Sequence, residues 1–186
     1  MSADDILLDV EDRMEKSIDH LKHSLAGIRT GRANPGLVDS LRVDVYGSQV
    51  PMKQLASVGA PEATQIVVRP YDPGTIKEIE KAILTSGLGF NPQNDGKIIR
   101  INVPPLSTDV RKKLVGRIKE LSEEAKVSIR NVRREGNKAV DQAEKDKELS
   151  EDDRDKAKEE IQELTKKFES RVDDMSKARE KDVLED

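Results

Sequence analysis
Ala125-Lys-Val-Ser-Ile-Arg-Asn-Val-Arg-Arg-Glu-Gly136 carries two helical rows at once. Ala125, Ile129 and Val132 recur at steps of four and three, the spacing of one buried helix face. One position round the cylinder, Lys126, Arg130, Arg133 and Arg134 form a second row at i, i+4, i+7 and i+8. No carboxylate interrupts that row before Glu135. Three of its four members are arginines, whose planar donor fork matches phosphate. The row reads either as a polyanion-binding face or as a solvated helix face.

The apolar row extends in both directions. Val110, Leu114, Ile118, Leu121, Ala125, Ile129, Val132, Gly136, Ala139 and Ala143 predict one helix from 108 to about 147. At ~1.5 Å per residue such a helix is about 60 Å long. Gly136 weakens it and marks either a bend or close packing. Upstream, Leu7, Val10, Met14, Ile18, Leu21, Leu25 and Ile28 predict an amphipathic helix over 5–28. Downstream, Ser150-Glu-Asp-Asp predicts a helix start after a turn at Lys147–Ser150, with a seam of Ile161, Leu164, Phe168, Val172, Met175 and Ala178. Three such stripes predict an elongated antiparallel three-helix bundle.

Between the first two helices the character of the chain changes. Arg29-Thr-Gly-Arg-Ala-Asn-Pro-Gly36 stops the first helix, with Gly31 free to take positive φ and Pro35 holding Asn34 extended. Leu41–Tyr46, Gln49–Leu55 and Thr64–Arg69 predict strands, with Gly47-Ser48 as a tight turn. Asp72-Pro73-Gly74 opens a helix whose apolar face is Ile76, Ile79, Ala82 and Ile83. Asn91-Pro92 and Asn94-Asp-Gly96 read as turns, and Lys97–Val103 as a closing strand. Val103-Pro-Pro-Leu106 bars helix continuation. The expected class is α+β, with residues 1–30 and 105–186 forming a discontinuous bundle domain. Residues 31–104 form an inserted β/α/β domain joined by two linkers, Arg29, Thr30, Gly31 and Arg32 on one strand of chain and Val103, Pro104 and Pro105 on the other. A two-strand connection reads as a hinge or as a fixed elbow.

Composition bounds the function. Charged residues make up 38% of the 186 residues and aromatics 2%, which points to aliphatic helix seams. The net charge of −4 is unevenly spread: residues 107–147 carry +4, while residues 1–30 carry −3 and residues 148–186 carry −6. Local field, not net charge, decides docking on phosphate. With no Cys there is no thiolate nucleophile, thiolate metal site or disulfide. His20 and His23 are the only histidines, too few for a His-based metal site, and read as solvated helix. No Ser lies in a nucleophile-elbow setting, and neither Gly87-Leu-Gly89 nor Asp95-Gly96 makes a phosphate loop. An enzyme is not expected, nor a cofactor. The start Met-Ser-Ala-Asp-Asp resembles no export signal, and no apolar run reaches membrane length, so a cytoplasmic protein is expected.

Motifs along nearly the whole chain then coincide with one known family. Ile28-Arg-Thr-Gly-Arg-Ala-Asn-Pro35, Val45-Tyr-Gly-Ser48, Glu80-Lys-Ala-Ile83, Ile99-Arg-Ile101, Pro104-Pro-Leu106, the stretch 125–134 and Ser150-Glu-Asp-Asp153 resemble the bacterial ribosome recycling factors. The pattern departs at Thr108-Asp-Val110 and at Glu135-Gly-Asn137, neither of which touches the arginine row. The resemblance implies an L-shaped molecule whose two linkers act as a hinge. It implies a monomeric translation factor that binds the post-termination ribosome and, with elongation factor G and GTP hydrolysis, splits it into subunits. It also implies that the bundle lies against large-subunit ribosomal RNA, with Arg130 and Arg133 at the contact and Arg134 beside them. Without the motifs, the heptad-like steps and high charge suit a coiled-coil adaptor with a protein partner, which would form a concentration-dependent oligomer.

Overall fold
The computed structural model describes residues 1–185. In chain order the elements are α1 (Ala3–Ala26), α2 (Gly36–Asp39), β1 (Arg42–Val45), β2 (Ser48–Pro51), α3 (Met52–Leu55), β3 (Ala56–Glu62) and β4 (Gln65–Pro70). A 3-10 turn (Pro73–Thr75), α4 (Ile76–Leu84), β5 (Pro92–Asn94), β6 (Ile99–Asn102), α5 (Thr108–Lys145) and α6 (Glu151–Glu185) follow. The chain divides into two compact units. One comprises residues 1–28 and 112–181, the other residues 29–111 with the chain from Asp182.

The first unit is a bundle of α1, α5 and α6. Each helix begins on a serine whose hydroxyl accepts a backbone N–H three residues on: Ser2 from Asp5, Ser107 from Val110 and Ser150 from Asp153. Asp5 closes a full capping box on Ser2. Ion pairs read out the helix directions. Arg171 grips Glu15 through two hydrogen bonds of 2.7 and 2.9 Å, and Lys167 lies 4.0 Å from Glu11, so α1 and α6 run parallel. Lys158 meets Asp141 and Arg130 meets Glu169, so α5 runs antiparallel to α6.

The buried row of α5 is Ile118, Leu121, Ala125, Ile129, Val132, Gly136, Val140 and Ala143. Its 3, 4, 4 steps span 11 residues in three turns, close to the natural helical pitch, so the packing demands little left-handed supercoiling. Val140 therefore takes the seam position expected of Ala139, and Val110 is exposed. On α1, Ile6 is buried and Leu7 only half-buried, reversing the expected order. On α6, Thr165 and Ser176 take seam positions, Leu164 and Met175 sit half-buried at its flanks, and Ala178 is exposed. Thr165 is tolerated because its hydroxyl donates to the Ile161 carbonyl at 2.8 Å. The helix runs unbroken through Gly136, where the packing is close.

The second unit holds a two-stranded β1–β2 hairpin and a four-stranded antiparallel sheet in the order β3-β4-β6-β5. Ile66, Val68, Ile99 and Ile101 face a core shared with Ile79 and Ile83 of α4. The hairpin turn is Tyr46-Gly47, both at positive φ, one residue earlier than expected. The strand expected over Gln49–Leu55 stops at Pro51, which starts the single turn α3. β3 and β5 fall where turns or no element were expected, and α2 is a further short turn. Gly59 and Pro61 hide β3, since neither carries the apolar alternation of a strand. Asp72 caps the 3-10 turn before α4 by accepting the Gly74 N–H at 2.9 Å.

Candidate nucleic-acid interface
The cationic row lies on α5, and α6 packs alongside it. Lys126 Nζ sits 2.6 Å from Asp173 Oδ1, and its side chain is only 21% exposed. Arg130 donates from Nε to Glu169 at 3.0 Å and from Nη1 to Glu123 at 3.3 Å. Glu169 accounts for most of the upward push on the Arg130 pKa, the nearby carboxylates stabilising the cation. The row itself holds no carboxylate, yet Asp173 and Glu169 of α6 and Glu123, one turn earlier on α5, supply them from its flanks. Half of the expected row is therefore neutralised within the bundle.

Arg133 and Arg134 differ. Arg133 is half-buried, and its Nε is buried with no hydrogen-bond partner. Among the described residues it makes no ion pair. Arg134 is exposed, and among the described residues it donates only to the Asn131 side chain, at 3.5 Å. Glu135, which ends the row in sequence, is turned to Arg13 of α1 in a short ion pair. Lys138 lies four residues past Arg134 and is also exposed. It extends the same face, and its signal in the sequence is the i+4 step that resumes after Glu135. Val127, 46% exposed, lies on this face one turn before Arg130 and Asn131.

Arginine and lysine donors that no carboxylate engages among the described residues can meet phosphate oxygens. Guanidinium and ammonium donors on a helix face suit contact with the phosphate backbone, which positions a partner without reading its sequence.

The linker residues are ordered by specific contacts. α1 ends at Gly27 in right-handed geometry, φ −76°, so the helix terminates without a left-handed glycine and Gly31 is not its cap. Arg29 donates to the Pro104 carbonyl at 2.7 Å, and its guanidinium lies 5.9 Å from the Phe90 ring centroid. Thr30 and Val103 are buried, the Val103 N–H donating to Thr64 at 2.7 Å, while Arg32, Pro104 and Pro105 are exposed. The Arg29 contact thus ties the first linker to the second.

His20 and His23 are exposed on α1, and no group of His, Asp or Glu among the described residues is disposed to hold a metal ion. No described helix is long and apolar enough to cross a membrane.

Comparison with known proteins agrees from end to end. Residues 21–184 match the family described as Ribosome recycling factor. The chain is 66% identical over 140 residues to the ribosome-recycling factor of Rhodopirellula baltica, covering 75% of each chain. It is 49% identical over 185 residues to that of Nitratidesulfovibrio vulgaris, covering 100% of both. Among solved structures, a ribosome recycling factor in solution superposes with a TM-score of 0.81 at 37% identity, covering 100% of this chain and 99% of the other. A second, covering 99% of this chain and 100% of its own at 41% identity and a TM-score of 0.68, is described as models for the T. thermophilus ribosome recycling factor and the E. coli elongation factor G bound to the E. coli post-termination complex. The chain belongs to the ribosome recycling factor family, a family of non-enzymatic translation factors.

Proposed function
We propose that this chain works in the cytoplasm as a monomer that binds the post-termination ribosome and, with elongation factor G and GTP hydrolysis, splits it into subunits. The bundle lays the exposed face of α5 on large-subunit ribosomal RNA. The observation that carries this reading is the contrast within the row: Lys126 and Arg130 are engaged by α6, while Arg133 and Arg134 have no carboxylate partner among the described residues. Arg133 and Arg134 supply the phosphate contacts, extended by Lys138. Lys126 and Arg130 set the position of α5 and lend long-range attraction. Recognition is of A-form shape and backbone, as for duplex RNA generally.

Arg29, Thr30, Gly31 and Arg32 with Val103, Pro104 and Pro105 form a hinge between a bundle domain of residues 1–30 and 105–186 and an inserted domain of residues 31–104. The hydrogen bond from Arg29 to Pro104 supports this, because it makes the two linkers move as one.

Pelleting with vacant ribosomes across a salt series tests the RNA face. Wild type should bind saturably and lose affinity as salt rises. Arg133→Ala should bind more weakly with a shallower salt dependence and an unchanged circular dichroism spectrum. Equal binding by both proteins at every salt concentration would remove Arg133 from the interface.

A further inference from the structure
The bundle has a second face whose chemistry is the opposite of the arginine row. Ile6-Leu7-Leu8 are three consecutive apolar residues at the start of α1, and the core uses one of them. Ile6 is 3% exposed, Leu7 is half-buried and Leu8 is 69% exposed. Leu7 and Leu8 face Leu164 of the parallel helix α6 across a surface groove of about 810 Å³. An exposed leucine alone means little, but here three leucines line one groove.

The rim is acidic. Asp4 and Glu11 flank the floor on α1, and Glu159, Glu160 and Glu163 flank it on α6. Lys156 and Lys167 are the two cations of the lining, and Lys167 is drawn toward Glu11 at 4.0 Å. Five carboxylates against two ammonium groups leave the groove negative. The surrounding helices reinforce it, since residues 1–30 and 148–186 carry −3 and −6, while the basic α5 contributes nothing to the lining.

We propose that this groove docks a lysine- and arginine-rich amphipathic helix of a protein partner. The charge excludes RNA, whose phosphates would meet five carboxylates. The leucine floor calls for an apolar stripe, which a purely ionic ligand lacks. The dimensions fit a short helix: the lining spans residues 4–11 of α1, about 10 Å at ~1.5 Å rise, and 156–167 of α6, about 17 Å, or two to three turns. A third helix laid between two parallel ones puts residues at i, i+3, i+4 and i+7 onto the floor. Its flanking cations then reach Glu11 on one side and Glu160 and Glu163 on the other. The proposal is independent of the RNA role of α5, because no residue of α5 lines the groove.

The test is titration of the full-length, nitrogen-15-labelled protein with a designed 14-residue stapled peptide, followed by amide chemical shifts. The peptide carries leucines at positions 1, 4, 5 and 8 and lysines and arginines elsewhere. Saturable binding is expected, with shifts at Leu8, Glu11, Glu160 and Leu164. Leu8→Ser and the Glu160→Lys/Glu163→Lys double variant should each weaken it about tenfold, the second effect shrinking at high salt. Both changes are on exposed side chains, so the spectrum elsewhere should stay as in wild type. A peptide of the same composition with its leucines scattered round the helix should bind at least tenfold more weakly. Equal binding by the scattered peptide, indifference to Leu8→Ser, or shifts confined to other faces would overturn the proposal. So would an RNA duplex that moved the same amides.

Discussion

Gly136 of α5 and Val10 of α1 leave no room for a methyl group between them. A Cβ on Gly136 would lie 2.6 Å from Val10 Cγ2 and 3.3 Å from Ile161 Cδ1 of α6. Side chains of both other helices thus close on this residue. Valine is stiff at χ1 in a helix, so its methyl cannot swing aside cheaply. Gly136→Ala should therefore destabilise the protein by about 1–3 kcal/mol from overpacking, less the ~1 kcal/mol that alanine gains in helix propensity. Denaturant unfolding followed by circular dichroism reads the difference. Val10→Ala should cost less in the Gly136→Ala background than in wild type, since each relieves the other. A more stable Gly136→Ala would show that the glycine is there for some other reason.

The pairing of Arg130 with Glu169 makes a prediction of opposite sign to loss of an arginine. Glu169→Gln removes the charge that holds Arg130 at 3.0 Å while keeping a similar shape. Released, the guanidinium adds a cation to the α5 face, and only Glu123 still competes for it. Binding to ribosomal RNA should tighten at low salt, with a steeper salt dependence by up to about one unit of slope. Lys126→Ala should change binding far less than Arg134→Ala, because Lys126 is already spent on Asp173. Filter binding of a ribosomal RNA fragment over a salt series separates these cases. If Lys126→Ala costs as much as Arg134→Ala, the ion pair with Asp173 must open on the ribosome.

The helices were legible because their periodicity is local, and the fine positions were not. Ile6 and Leu7, or Ala139 and Val140, are adjacent apolar residues either of which satisfies a three-or-four step. Only the partner helices decide which turns inward. Thr165 and Ser176 are buried hydroxyls that no apolar pattern would mark. β3 carries Gly59 and Pro61 and becomes a strand through pairing with β4, a non-local cause. The arginine row was readable as a row, since i+4 and i+7 spacings are written in the chain. Its division into engaged and unengaged members depends on the register of α6, where Asp173 and Glu169 lie 47 and 39 residues downstream of their partners. The motifs identified the family because they recur at fixed separations, which no single helix pattern provides.

Stability should fall on the acid side for an identifiable reason. Arg171, by its hydrogen bonds to Glu15, holds that carboxyl below the ordinary glutamate range, and the Ser2 side chain does the same for Asp5. A depressed folded pKa means that the stabilisation is complete above the unfolded value, about 4.3 for glutamate, and is lost as pH falls through the folded value. Midpoints of urea unfolding should therefore be flat near neutrality and decline below about pH 4.3. Glu15→Gln should be less stable than wild type near neutrality and lose less on acidification. Parallel pH profiles for the two proteins would show that the Arg171 clamp contributes nothing measurable.

Tyr46 presents a phenol that is 84% exposed on a backbone at φ 51°, an uncommon conformation for a bulky residue. Its hydroxyl donates to Asp72 Oδ2 at 3.0 Å, across from the carboxylate oxygen that caps Gly74. The hydrogen bond stabilises the neutral phenol and the carboxylate charge opposes its ionisation, so the Tyr46 pKa is raised. Asp72→Asn keeps an oxygen for the Gly74 N–H but removes the charge. The Tyr46 transition should then move to lower pH in an absorbance titration near 295 nm. The reading is clean because the chain has two tyrosines and no tryptophan. Tyr46→Phe assigns the transition by deleting it. If Asp72→Asn leaves both phenol transitions in place, the contact between Tyr46 and Asp72 does not persist in solution, and the positive φ at Tyr46 is held by the hairpin alone.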